Sequence, residues 1–171
     1  MKKIIFILFV TLGSLTSYAQ DIFGAARTNN IIELRTYISN KVDVNQANSR
    51  GFTPLILAIY NNNQEAAKLL LENNANPNAQ DLSGNNALMG AIFKGFPDMA
   101  KLLLDNKADV NQVNFNGASS LIFAATFGNL DIAKMLLAAG ADKSVKDNRG
   151  KTALDHATMQ ENTTMIELLS E

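Results

Sequence analysis

Short apolar clusters alternate with polar, asparagine-rich turns along the chain, and the alternation keeps a fixed period. "RGFTPLILA", Arg50 to Ala58, is followed by "GNNALMGA" from Gly84, "GASSLIFA" from Gly117 and "GKTALDHA" from Gly150. These glycines and Gly51 stand 33 residues apart each time. Leu55, Leu88, Leu121 and Leu154 fall in one column, and Ala58, Ala91, Ala124 and Ala157 in another. "AAKLLLENNANPN", "MAKLLLDNKADVN" and "IAKMLLAAGADKS" superpose from Ala66, Met99 and Ile132. Each unit therefore predicts a short helix with small inner residues, a tight turn, a longer helix with one apolar face, and a polar hairpin-like loop ending in glycine. A unit of that size cannot bury its apolar face alone. Stacking on its neighbours is the solution, which gives an elongated all-α solenoid.

The unit resembles the ankyrin repeat, and the resemblance covers residues 21–171. Thr53-Pro54-Leu55 matches the family's first-helix motif fully, and Thr152-Ala153-Leu154 matches it in part. Gly95 and Gly128 match the turn between helices, and Ala108-Asp109-Val110-Asn111 the start of a finger. The resemblance implies helix-turn-helix units with β-hairpin-like fingers. Three full repeats, 51–83, 84–116 and 117–149, lie between an N-cap repeat (21–50) and a C-cap repeat (150–171) without a finger. Thr53 is placed to cap a helix, with Pro54 at the first helical position, where its missing N–H costs nothing. The finger glycines are expected at positive φ, and Gly140 and Asn74 are expected in the left-handed conformation that closes a second helix. Lys41 and Lys107 share that column at a cost of ~1 kcal/mol each.

At the family's first-helix histidine column this chain has Ile56, Met89, Ile122 and Asp155. In the family that histidine helps to tie neighbouring repeats, so apolar packing is expected to substitute here. Asp81 and Asp147 fall in the family's loop-aspartate column, where a carboxylate satisfies turn donors, and Asn48 and Asn114 can do the same without charge. Glu65, Asp98 and Asp131 open second helices and suit the positive end of the helix dipole.

The N-terminus stands apart from the repeat. Lys2 and Lys3, the apolar run Ile4 to Leu12, and Ser17-Tyr18-Ala19 read as a secretory signal peptide over residues 1–19. The run is too short to span a bilayer, so no membrane span is expected after cleavage, and the mature part is 20–171. Without Lys2 and Lys3 the chain has 13 basic against 16 acidic residues, which is no footprint for nucleic acid. Cysteine is absent, which removes disulfides, thiolate nucleophiles and thiolate metal sites. His156 is the only histidine, so a His-rich metal site cannot form. It is read as a helix residue partly covered by the C-cap. No catalytic residues, metal or cofactor are expected.

Function is then expected on the surface that stacking creates, with a protein as partner and the chain as a monomer. In ankyrin proteins the partner lies along finger tips and exposed first-helix positions, the concave groove. The corresponding residues here are Arg50, Phe52, Tyr60, Leu82, Asn85, Phe93, Phe115, Asn116, Phe127, Arg149 and Lys151. Their apolar and aromatic members mark an interaction site if contiguous. The expected function is a non-enzymatic binding protein of the bacterial envelope, in the periplasm. Resemblance to exported ankyrin proteins associated with oxidative-stress defence implies a link to stress defence. A secreted effector is the alternative, and an enzyme a remote third.

Overall fold

The computed structural model describes residues 22–171, and the expected signal peptide lies outside them. Helices pair along the chain: α1 (22–27) with α2 (Ile31–Ser39), α3 (Pro54–Tyr60) with α4 (Gln64–Glu72), and α5 (Ala87–Lys94) with α6 (Pro97–Asp105). Next come α7 (Ser120–Phe127) with α8 (Leu130–Ala138), and α9 (Ala153–Met159) with α10 (Thr163–Ser170). The architecture is an all-α repeat solenoid.

Each first helix from α3 onward starts the same way. Thr53, Asn86, Ser119 and Thr152 occupy one column, and the side-chain oxygen of each accepts the N–H three residues on, at 3.3, 2.9, 3.4 and 3.2 Å. That bond satisfies a donor the helix itself cannot. Thr152 goes further, because Asp155 reaches back to its N–H and closes a capping box. Each helix also stops at a fixed place. Every residue of positive φ among those described belongs to one of three columns. One follows the first helix (Asn29, Asn62, Gly95, Gly128, Glu161). Another follows the second (Lys41, Asn74, Lys107, Gly140), and the third is the finger column (Gly51, Gly84, Gly117, Gly150). Gly51 is required for a further reason: a Cβ there would stand 2.7 Å from the Leu82 nitrogen of the next finger.

The first helices are apolar nearly all round because they are enclosed on three sides. Leu88, Met89, Ala91 and Ile92 of α5 are buried, as are Leu121, Ile122, Ala124 and Ala125 of α7. Second helices bury one stripe only, such as Met99, Ala100 and Leu103 of α6. First helices also pack on one another more closely than second helices do.

Apolar packing at Ile56, Met89 and Ile122 is present, but it is not what replaces the family's histidine bonds alone. Side-chain amides tie repeat to repeat. Asn45 and Asn111 each bridge forward: their Nδ2 groups donate to Asn74 O and Gly140 O, and their Oδ1 atoms accept from Asn76 N and Asp142 N. Between them in the same column, Asn78 Oδ1 accepts from Asp109 N at 2.7 Å. Asn63 and Asn129, at the starts of α4 and α8, reach back to carbonyls at the ends of α1 and α5. The asparagine richness of the turns is thus partly a system of inter-repeat tethers.

Candidate interaction groove

Each finger is built on one acceptor side chain. Asn48 Oδ1 accepts from Arg50 N and Phe52 N, Asp81 Oδ1 from Ser83 N and Asn85 N, and Asn114 Oδ1 from Asn116 N and Ala118 N. Asp147 Oδ1 accepts from Arg149 N and Lys151 N, both at 2.9 Å. The four turns are therefore one structure held by either an amide or a carboxylate. Neighbouring tips are bonded as well: Leu82 N donates to Arg50 O, Phe115 N to Ser83 O and Asn148 N to Asn116 O. Among the described residues the fingers form no named strand. Their hairpin character lies in these turn bonds and in a single bridge between Val113 and Ser119.

That scaffold fixes the eleven expected partner-facing residues in different ways. Leu82 is 71% exposed and Phe115 66%, both on finger tips whose own N–H groups bond to the preceding finger. Phe93 and Phe127 are 53% and 47% exposed and meet edge to face across α5 and α7, their centroids 5.2 Å apart. Phe123 joins them at 5.9 Å from Phe127, so the three rings are contiguous. Arg50, Asn116, Arg149 and Lys151 are exposed.

Three of the eleven are not free in the way expected. Phe52 and Tyr60 are half-buried and packed on the core, their rings 5.9 Å apart. Tyr60 lies where Gly90 of α5 has no side chain, since a Cβ there would be 2.7 Å from its ring. Burial first, and the Asp81 charge second, push the Tyr60 hydroxyl up from its ordinary pKa. Asn85 is half-buried, and its Oδ1 accepts from Asn114 Nδ2 of the next finger. These residues join repeats. Met159, 53% exposed at the end of α9, lies on the first-helix row but outside the eleven.

A cleft of about 320 Å³ opens between the last two fingers and the helices α7 and α9. Ala118, Ile122, Phe123 and Phe127 give it apolar walls, and Asn116 and Arg149 stand at its edge. It also reaches His156, which is buried rather than partly covered. The imidazole Nε2 lies 2.9 Å from Asp147 Oδ2, and Nδ1 3.1 Å from Thr126 Oγ1. The Lys151 N–H, with further help from His156 and Arg149, holds the Asp147 carboxyl well below the usual carboxylate range despite its burial. A carboxylate, an imidazole and a hydroxyl in line also describe a device for activating a nucleophile. Here Thr126 Oγ1 donates to Ile122 O of its own helix at 2.7 Å, and the line crosses from α7 to α9. It serves as a strut between the last two repeats, one residue away from the column where the family's histidine does that work.

No His, Cys, Asp or Glu cluster suited to a metal occurs among the described residues, and no helix there is long and apolar enough to cross a membrane. A family model described as "Ankyrin repeats (3 copies)" matches the chain over residues 22–114 and again over 88–171. No curated protein matches it.

Proposed function

Since the chain belongs to the ankyrin-repeat family, whose members are generally protein–protein interaction modules and typically non-catalytic, we propose that it is a binding protein of the bacterial cell envelope. Its partner is a protein docked along the finger tips and first helices. The observation that carries this reading is the exposed apolar row Leu82, Phe93, Phe115 and Phe127 on a rigid, internally bonded scaffold. Large apolar side chains held in solvent at consecutive repeats are costly unless something covers them. Export to the periplasm is supported by the basic start, short apolar run and small-residue site of residues 1–19. A role in stress defence follows only from resemblance to exported ankyrin proteins.

The test is a crosslinking pull-down from the periplasmic fraction, read by mass spectrometry, with wild type beside Leu82→Lys/Phe115→Lys. A protein captured by the first and lost from the second is expected. Identical capture by both would remove the groove from the account. Recovery of the chain itself from the medium would replace the periplasmic reading with the secreted effector.

A further inference from the structure

Exposed cations occur on every side of the molecule, second helices included (Arg35, Lys68, Lys101, Lys134), but exposed carboxylates do not. Arg50, Arg149 and Lys151 are exposed on the tips, and Arg27 and Lys94 at the ends of α1 and α5. On the same tips and first helices, the carboxylates among the described residues are all bonded internally. Asp81 and Asp147 are buried under the finger N–H groups they accept, and Asp155 closes the α9 capping box. Exposed carboxylates sit instead on second helices, as at Glu65, Glu72, Asp98, Asp105, Asp131 and Glu167, and in the loops that flank them. In a chain of formal net charge −1, the charged groups that the tips and first helices expose to solvent are therefore cations.

The apolar residues occupy the middle of that face, with Lys94 beside Phe93 among them, and further cations stand at both ends. Leu82, Phe93, Phe115 and Phe127 lie between Arg50 on one side and Arg149 and Lys151 on the other. We infer that the groove takes an extended protein segment with an apolar centre bracketed by Asp or Glu. One large apolar side chain enters the cleft between α7 and α9, and a neighbouring carboxylate meets Arg149. This rests on the groove reading above and supplies its partner's chemistry.

The cleft, at about 320 Å³, is within the range of sites that enclose a compact apolar group. Arg149 is free to exchange partners. Its side chain is 71% exposed, and its nitrogens lie 3.3 and 3.4 Å from an Asp147 Oδ2 that His156 already holds at 2.9 Å. Only the Asp147 side of that pair is buried, and the long contacts leave the Arg149 head largely in solvent. A single-stranded nucleic acid would also meet cations and rings. However, Phe93 and Phe127 are locked edge to face at 83° and do not offer the parallel platforms on which successive bases stack.

A random peptide library panned on the full chain tests the inference without knowing the natural partner. Peptides with acidic residues on both sides of an apolar cluster should be enriched, and Lys and Arg depleted. Their binding should weaken at high salt and fall about tenfold or more with Arg149→Glu. Arg50→Glu, at the far end of the groove, should do the same, and circular dichroism checks that both variants remain folded. Neutral or basic winners that are lost in Leu82→Lys/Phe115→Lys would overturn the acidic-segment inference and leave the groove standing. Winners indifferent to Leu82→Lys/Phe115→Lys would overturn both. An empty selection, or tighter binding of an oligothymidylate than of any peptide, would equally overturn the inference.

Discussion

One buried hydroxyl in this molecule has no work to do. Ser120 Oγ is fully enclosed and makes no hydrogen bond, at a column where the other repeats carry Pro54, Ala87 and Ala153. An unsatisfied buried hydroxyl costs on the order of 1 kcal/mol or more. Ser120→Ala should therefore raise the midpoint of chemical denaturation, by about 1 kcal/mol in stability, and a fall would show that the hydroxyl has a partner. Asp147 offers a contrasting case. Its pKa is lower in the folded chain than the ordinary carboxylate value of about 3.9. Its contribution to stability is thus complete above that ordinary value and is lost as the pH falls below it toward the folded value. Asn48 and Asn114 perform the same turn bonding without charge. Asp147→Asn should accordingly keep the fold at neutral pH and lose less stability than wild type below about pH 4. Denaturation midpoints from neutral to acid pH check this, and parallel curves would refute it.

At the scale of the element, the helix stops are where sequence and energy meet most directly. Lys107 follows α6 at φ 66°, a conformation that glycine adopts without strain and lysine does not. Lys107→Gly should add up to about 1 kcal/mol, while Asn106→Gly, at φ −102°, should cost stability through backbone entropy and through loss of the Asn106 Nδ2 bond to Leu102 O. Thermal melts of the two variants should move in opposite directions. Such stops were legible beforehand because Gly140 and Asn74 share the column and name its conformation. The tethers were not. An asparagine that caps or turns its own chain and one that bridges to the neighbouring repeat, as Asn63 does and Asn162 does not, look alike in sequence. Nor was the burial of Phe52 and Tyr60 legible. Their rings could face solvent or the next repeat, and the missing side chain of Gly90 decided the matter.

The whole molecule is held by neighbour-to-neighbour contact, so its ends carry a particular load. His156 and Thr126 tie α9 to α7, and Ala153 and Ala157 are buried with them. Deleting 150–171 would uncover the far side of α7 and remove that strut. The shortened chain is expected to unfold at lower temperature and to self-associate. Sedimentation velocity over a range of concentrations would detect it, and a stable monomer would refute it. The period made this architecture readable, since a column repeated four times is hard to mistake. The groove was readable only as a set of positions. Which of them reach solvent depended on side-chain directions that a column does not contain.

The asparagine tethers between repeats join each unit to its neighbour across 29 to 37 residues of chain. Every one is thus written in the same phase. Duplicating the segment 84–116 in tandem would hand each tether an equivalent mate and lengthen the groove by one finger, without a compensating change elsewhere. An insertion of any other length within a repeat would put that register out of step at once. In such a chain recombination can alter reach while leaving the fold intact, so copy number is its cheapest variable and phase its least forgiving.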